Sequence, residues 1–161
     1  MNEELLIASG DGNFNIVSEL LSKGAYVNAK NNSGETALIK ASEKGHKDLV
    51  DLLLARGADW NAKTDDEGCA PLHSAASSGH KDIVDLLLAR GASVETLDFY
   101  SRTPLHYAAA AGQREVVELL LTKYSGNLNA PDYYDKTPLY YAERNGHMDV
   151  VELLRQRSGL E

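Results

Sequence analysis

The sequence predicts an all-α solenoid, built from stacked helix–turn–helix units joined by β-hairpin loops. Three observations predict it. Five glycines, Gly12, Gly45, Gly79, Gly112 and Gly146, are separated by 33, 34, 33 and 34 residues. An apolar phrase follows each, as in Ile83-Val84-Asp85-Leu86-Leu87-Leu88. A helix-start phrase precedes them, as in Thr103-Pro104-Leu105-His106-Tyr107-Ala108-Ala109. Three phrases recurring in one register are the mark of a repeat architecture.

Each phrase has a local physical meaning. Thr before Pro starts a helix, because the hydroxyl caps a free N–H and Pro suits the first helical position. Leu105 and Ala108, three apart, share one face of a short helix. The small Ala108-Ala109 pair allows close helix approach. Gly112 stops this first helix before the second begins. The phrase Val116-Val117-Glu118-Leu119-Leu120-Leu121 is apolar on too many sides for a surface helix and predicts a sandwiched one. Gly91 suits the end of a second helix, where a left-handed backbone is easiest. Segments such as Asn61-Ala62 then cross to the next unit as a hairpin loop. The two additional residues fall in loops, near Thr64–Glu67 and Tyr124–Gly126, where insertion costs little.

The array carries its own ends. Positions two apart lie about 200° around a helix. In each middle unit one leucine of the pair Leu52/Leu54, Leu86/Leu88 or Leu119/Leu121 faces the preceding neighbour and one the following. The first unit has Glu19 at the leading position, and the fifth has Arg155 at the trailing one. Each charge sits on the side without a neighbour, and Glu143 replaces the second alanine of the last first helix. The expected units are 1–31 (a cap), 32–64, 65–98, 99–131 and 132–158 (a cap), in one domain spanning 1–161. Leu160-Glu161 reads as trailing cloning sequence or as a natural end.

These phrases resemble the ankyrin repeat over residues 2–158. The resemblance implies paired antiparallel helices with hairpins projecting sideways. It also implies a structural role for the histidine of the Thr-Pro-Leu-His phrase, and partner contact through hairpin tips and the concave first-helix face. A redesigned natural chain or designed ankyrin without a natural partner is a further reading.

Composition limits the function. Of 161 residues, 43% are hydrophobic and 25% charged, which suits a buried core. Sixteen Lys and Arg against twenty-four Asp and Glu give a net charge of −8, against a nucleic-acid or anionic-membrane partner. The single cysteine, Cys69, suits a reducing, cytoplasmic setting. The start lacks the basic and apolar regions of a signal peptide. No metal motif or phosphate loop is present, so no cofactor is expected. Asp65-Asp66-Glu67 reads as a solvated turn. The five histidines occupy register positions: His46, His80 and His147 follow the repeat glycine, while His73 and His106 close the Thr-Pro-Leu-His phrase. A Cys69/His73 or Ser101/His106 dyad on this scaffold would make an ester hydrolase, the rival reading. Non-catalytic binding of another protein is the principal expectation.

The expected contact residues follow from register and composition. Of eleven Phe, Trp and Tyr residues, eight lie between Phe99 and Tyr141. Phe99-Tyr100 and Tyr133-Tyr134 fall on hairpin tips, as do Asp66-Glu67. Arg102 and Lys136 precede the helix starts. Tyr107, Tyr141 and Arg144 lie on first helices, and Trp60 replaces a small apolar residue. Large aromatics at such positions are enriched in binding hot spots. The expected protein is a monomer, with self-association through the aromatic patch as an alternative.

Overall fold

Left-handed glycines divide the chain into helix pairs. The computed structural model describes residues 1–159 and shows ten helices among them. The pairs are α1 (Asn2–Asp11) with α2 (Phe14–Ser22), α3 (Ala37–Lys44) with α4 (Lys47–Ala55), and α5 (Pro71–Ser78) with α6 (Lys81–Ala89). Then follow α7 (Pro104–Ala111) with α8 (Arg114–Lys123), and α9 (Pro138–Arg144) with α10 (Met148–Ser158). Leu160-Glu161 lie outside the described residues. Thr36, Thr103 and Thr137 cap α3, α7 and α9 by accepting from the N–H three residues on. Gly12, Gly45, Gly79 and Gly112 end the first helices with φ between 70° and 84°.

The helices form two rows. First helices pack in the order α1, α3, α5, α7, α9, and second helices stack behind them more loosely. Small residues explain the difference. Ala41, Ala75, Ala76, Ala108, Ala109 and Ala142 are all fully buried, so first helices approach closely. Tighter spacing on one side curves the stack, leaving the first-helix face concave. In the outer row Leu53, Leu87 and Leu120 are fully buried, and Leu52, Leu54, Leu86, Leu88 and Leu119 are half-buried around them.

The ends differ. Arg155 is exposed and donates to Glu143 at 2.6 Å. Glu19 pairs with Lys23. Ile16, however, is 41% exposed, where Leu49, Ile83, Val116 and Val150 at the same register position are buried. The charge at Glu19 therefore covers only part of the first face.

Three sets of polar contacts join each unit to the next. The residue after each repeat glycine reaches back to a carbonyl of the preceding first helix. His46 donates to Gly10, His80 to Glu43 and Gln113 to Ser77, each at 2.9 Å, and His147 donates to Ala110 at 3.0 Å. The imidazoles cross so close over the glycines that a Cβ on Gly45 would stand 2.6 Å from His80. At the hairpin tips, backbone N–H groups donate to the preceding tip: Asp65 to Ser33 at 3.0 Å, Phe99 to Glu67 and Tyr133 to Tyr100 at 2.8 Å. The hairpins are short; Lys30–Thr36 makes an isolated antiparallel bridge. Last, His73 and His106 lie buried at the starts of α5 and α7. Nδ1 of His73 accepts from Ala70 N–H, so Nε2 carries the proton and donates to Thr96 and Arg102 carbonyls. His106 accepts from Thr103 and donates to Lys136 at 3.2 Å. Ala70 offers no capping hydroxyl, yet the His73 ring retains partners on both nitrogens.

Two predictions follow from these contacts. Gly45 and Gly57 belong to the same unit, and both are left-handed, with φ 84° and 86°. An added Cβ meets His80 at Gly45 and open space at Gly57. Gly57→Ala should cost about 1–2 kcal/mol of backbone strain. Gly45→Ala should cost about 1 kcal/mol more, the worth of the displaced hydrogen bond. Urea unfolding of both variants measures the difference, and equal losses would contradict the role given to His80.

Burial pushes the His73 imidazole down to about 4 from 6.5. Burial likewise lowers His106. The neutral rings therefore stabilise the fold fully above pH 6.5, and the unfolded chain gains protons first as pH falls. His73 alone should contribute about 3 kcal/mol that is lost between pH 6.5 and 4. Unfolding free energies across this window should fall for the native chain and fall less steeply for His73→Gln. Parallel curves would refute the assignment.

Candidate functional site

The aromatic-rich units 4 and 5 present a continuous surface from hairpin tip to concave face. Its frame is a repeated carboxylate. Asp98 Oδ1 accepts from the N–H groups of Tyr100 and Arg102, both at 2.8 Å. Asp132 Oδ1 accepts from Tyr134 at 2.8 Å and Lys136 at 2.9 Å. Each turn is thus closed around one buried oxygen. The second oxygen accepts from a tyrosine of the following helix: Tyr107 donates to Asp98 at 2.7 Å, and Tyr141 donates to Asp132 at 2.6 Å. Asn31 closes its own tip in the same way, accepting from Ser33 and Glu35. In the longer third hairpin Thr64 bonds Cys69 instead, accepting from its N–H.

Burial opposes the charge on Asp98, but hydrogen bonds from Tyr107 and Arg102 outweigh it and hold the carboxyl below the usual range. Asp132 is lowered for the same reason, with Tyr141 its side-chain donor. The tyrosines move the other way. Burial and the adjoining carboxylate raise both, Tyr141 to about 12, so each phenol keeps the proton it donates.

Arg102 ties the fourth unit to the third. Its Nε donates to Asp98 at 2.7 Å, and one Nη donates to Glu67 at 2.6 Å and Tyr107 at 2.8 Å. The guanidinium also lies 5.1 Å from the Tyr100 ring centre and 4.9 Å from that of Tyr107. This is a partly buried cation between two aromatic faces, with Nε and one Nη committed within the chain.

The tip aromatics are held but open. Tyr133 is 73% exposed, Phe99 59% and Tyr134 57%. Tyr100 is half-buried and stacks on Tyr134 at 6.0 Å, while Tyr133 meets Tyr134 edge-on at 5.3 Å. The Phe99 ring sits over Gly68, where a Cβ would collide with it. Ser101 and Asp135 take the left-handed tip position filled by glycine at Gly34 and Gly68. Below the tips, a shallow cavity of about 270 Å³ is lined by Ser77, Arg102, His106, Tyr107, Ala110, Ala111 and Tyr141.

The remaining expected contact residues are more scattered. Lys136 lies with Nζ 4.4 Å from the Tyr140 ring centre, at the open side of the last unit. Arg144 is exposed one turn beyond Tyr141 on α9. Asp66 is exposed on the third tip beside Glu67. Trp60 is half-buried, with its ring 3.6 Å from a Cβ built on Gly91, and packs against the core. Asp98, Asp132 and Gln113 are organising residues that the sequence reading did not select. The visible signal was the recurrence of Asp98 and Asp132 at one register position, each nine residues before a tyrosine.

The proposed dyads are not assembled. Cys69 Sγ lies 3.1 Å from Tyr107 Oη, and both His73 nitrogens are engaged with backbone. Burial raises the Cys69 thiol, the reverse of an activated nucleophile. His106 is likewise engaged by Thr103 and Lys136, while Ser101 occupies the exposed turn. Glu67, Cys69 and Asp98 bring three ligand atoms within 4.8 Å of one another, but Arg102 already donates to both carboxylates. Among the described residues, no helix is long and apolar enough to cross a membrane.

Comparison with known proteins agrees with this geometry. The chain matches the family of ankyrin repeats (3 copies) over residues 5–98 and again over 94–161. A search of curated proteins found no match. Ankyrin repeats generally mediate protein–protein interaction, and with both matches spanning nearly its whole length, this chain belongs to the ankyrin repeat family.

Proposed function

We propose that the chain is a non-catalytic protein-binding module whose contact surface is the tip and concave face of units 4 and 5. One observation carries this reading. Phe99, Tyr133 and Tyr134 are more than half exposed although Phe99 and Tyr133 are tied into the tip ladder and Tyr134 N–H donates to Asp132. Exposed aromatics are costly in water, and a rigid tyrosine offers large contact area for little loss of freedom on docking. The units as divided above place these tips side by side. Asp66 and Glu67 extend the surface towards the third unit, while Trp60, in the second unit, packs against the core. The single free cysteine supports a reducing, cytoplasmic setting. The protein acts as a monomer on this reading.

The test is a capture experiment followed by titration. Proteins retained by the native chain and lost with a Tyr133→Ala/Tyr134→Ala variant are purified, and their affinities measured. Each single substitution should weaken binding by about 2 kcal/mol, a hot-spot loss. Thermal unfolding should change little, because the ladder at Tyr133 uses backbone atoms. Unchanged affinity together with a large loss of stability would assign these rings to packing instead.

A further inference from the structure

The cavity is lined where units 4 and 5 depart from the other repeats. Just before the repeat glycine, unit 4 has Ala110-Ala111, where the others have Gly10-Asp11, Glu43-Lys44, Ser77-Ser78 and Arg144-Asn145. Five residues before the same glycine, units 4 and 5 have Tyr107 and Tyr141, where units 1, 2 and 3 have Ile7, Lys40 and Ser74. A half-buried alanine pair and two tyrosines therefore share the lining of one hollow of about 270 Å³. That volume falls below the roughly 300–1,000 Å³ of small-molecule sites and suits a single side chain.

The polar groups of the lining are largely spent within the chain. Tyr107 donates to Asp98 and Tyr141 to Asp132. His106 has partners on both ring nitrogens. Arg102 gives Nε to Asp98 and one Nη to Glu67 and Tyr107. Its other Nη and the Ser77 hydroxyl can serve a backbone carbonyl of an occupant. Neither sign of charge finds an open partner. A carboxylate would meet Arg102, whose charge Asp98 and Glu67 already match at 2.7 and 2.6 Å. Asp132 adds a third carboxylate bonded to the lining. An ammonium would meet no acidic residue in the lining and would be repelled by Arg102. A charge buried without a partner is costly, whereas an apolar side chain leaves nothing unpaired.

Resting on the binding surface proposed above, we propose that its occupant is an uncharged segment of a partner protein that places one large aliphatic or aromatic side chain in this cavity. Apolar contact with the alanine pair and the tyrosines holds that side chain. The cost of bringing either charge to Arg102 and its carboxylates excludes Asp, Glu, Lys and Arg from the same place.

Selection from a phage-displayed library of random dodecapeptides on the immobilised full chain tests this. Enriched peptides should share one Leu, Ile, Met, Phe or Trp flanked by uncharged residues. Replacing that residue by Ala should weaken binding about tenfold or more. Rising salt should leave the affinity nearly unchanged. Ala110→Glu/Ala111→Lys gives unit 4 the pair that unit 2 carries as Glu43-Lys44, and His147 bonds the carbonyl of residue 110 rather than its side chain. This variant should therefore keep the thermal unfolding of the native chain and lose the enriched peptides. Charged peptides whose binding falls with salt and with Tyr133→Ala/Tyr134→Ala would overturn the uncharged occupant and leave the surface standing. Apolar peptides that tolerate Ala110→Glu/Ala111→Lys but are lost with Tyr133→Ala/Tyr134→Ala would overturn the cavity as the seat. Peptides indifferent to both variants would overturn the surface as well. A library yielding no enriched peptide would overturn the occupant proposed here.

Discussion

The spacing between successive first helices is the constraint on which everything else depends. It is set where a side chain from one unit crosses a glycine of the unit before. Gly12, Gly45, Gly79 and Gly112 must be left-handed to end a helix, and bare to let His46, His80, Gln113 and His147 reach a carbonyl beyond. The same short spacing requires alanine between the helices. It also brings each hairpin tip within hydrogen-bonding distance of the last. A solenoid of this kind is stable through nearest-neighbour interfaces, so a contact repeated at each junction matters more than any single one.

That constraint explains why most polar residues here are scaffolding. His73 and His106 are buried because the next hairpin's carbonyls need donors, and Asp98 and Asp132 because their own turns need an acceptor. Buried polar groups are tolerable only when paired, and these are paired on both sides. Arg102 belongs with them: it stands on the expected contact surface, but its Nε and one Nη are held within units 3 and 4. The proposed contact groups are ones the stack does not use, above all the tip aromatics.

Much of this was legible in the sequence. The glycine register alone fixes the helix pairs and the equivalence of Tyr107 with Tyr141. The clustering of aromatics marks units 4 and 5. What could not be read is which equivalent positions touch. Gln113 stands where the four other units have Asn or His, and only the fold shows that its amide does the work of an imidazole. Asp98 and Tyr107 are nine residues apart on different elements; the recurrence of that spacing at Asp132 and Tyr141 is visible in the sequence, but that the side chains meet is not. The partial exposure of Ile16 was hidden for a similar reason, since Glu19 gave a clear polar signal and the neighbouring apolar position did not. Trp60 looked like a departure from pattern, and the structure places it against Gly91 on the core.

The account turns on binding aromatics being presented by a pre-ordered backbone. Amide hydrogen exchange at Asp65, Phe99 and Tyr133 tests it most directly, because each residue is on an exposed tip while its N–H is bonded to the unit before. The account predicts that these three amides are strongly protected in the free protein. Exchange at the rate of an unstructured peptide would contradict it.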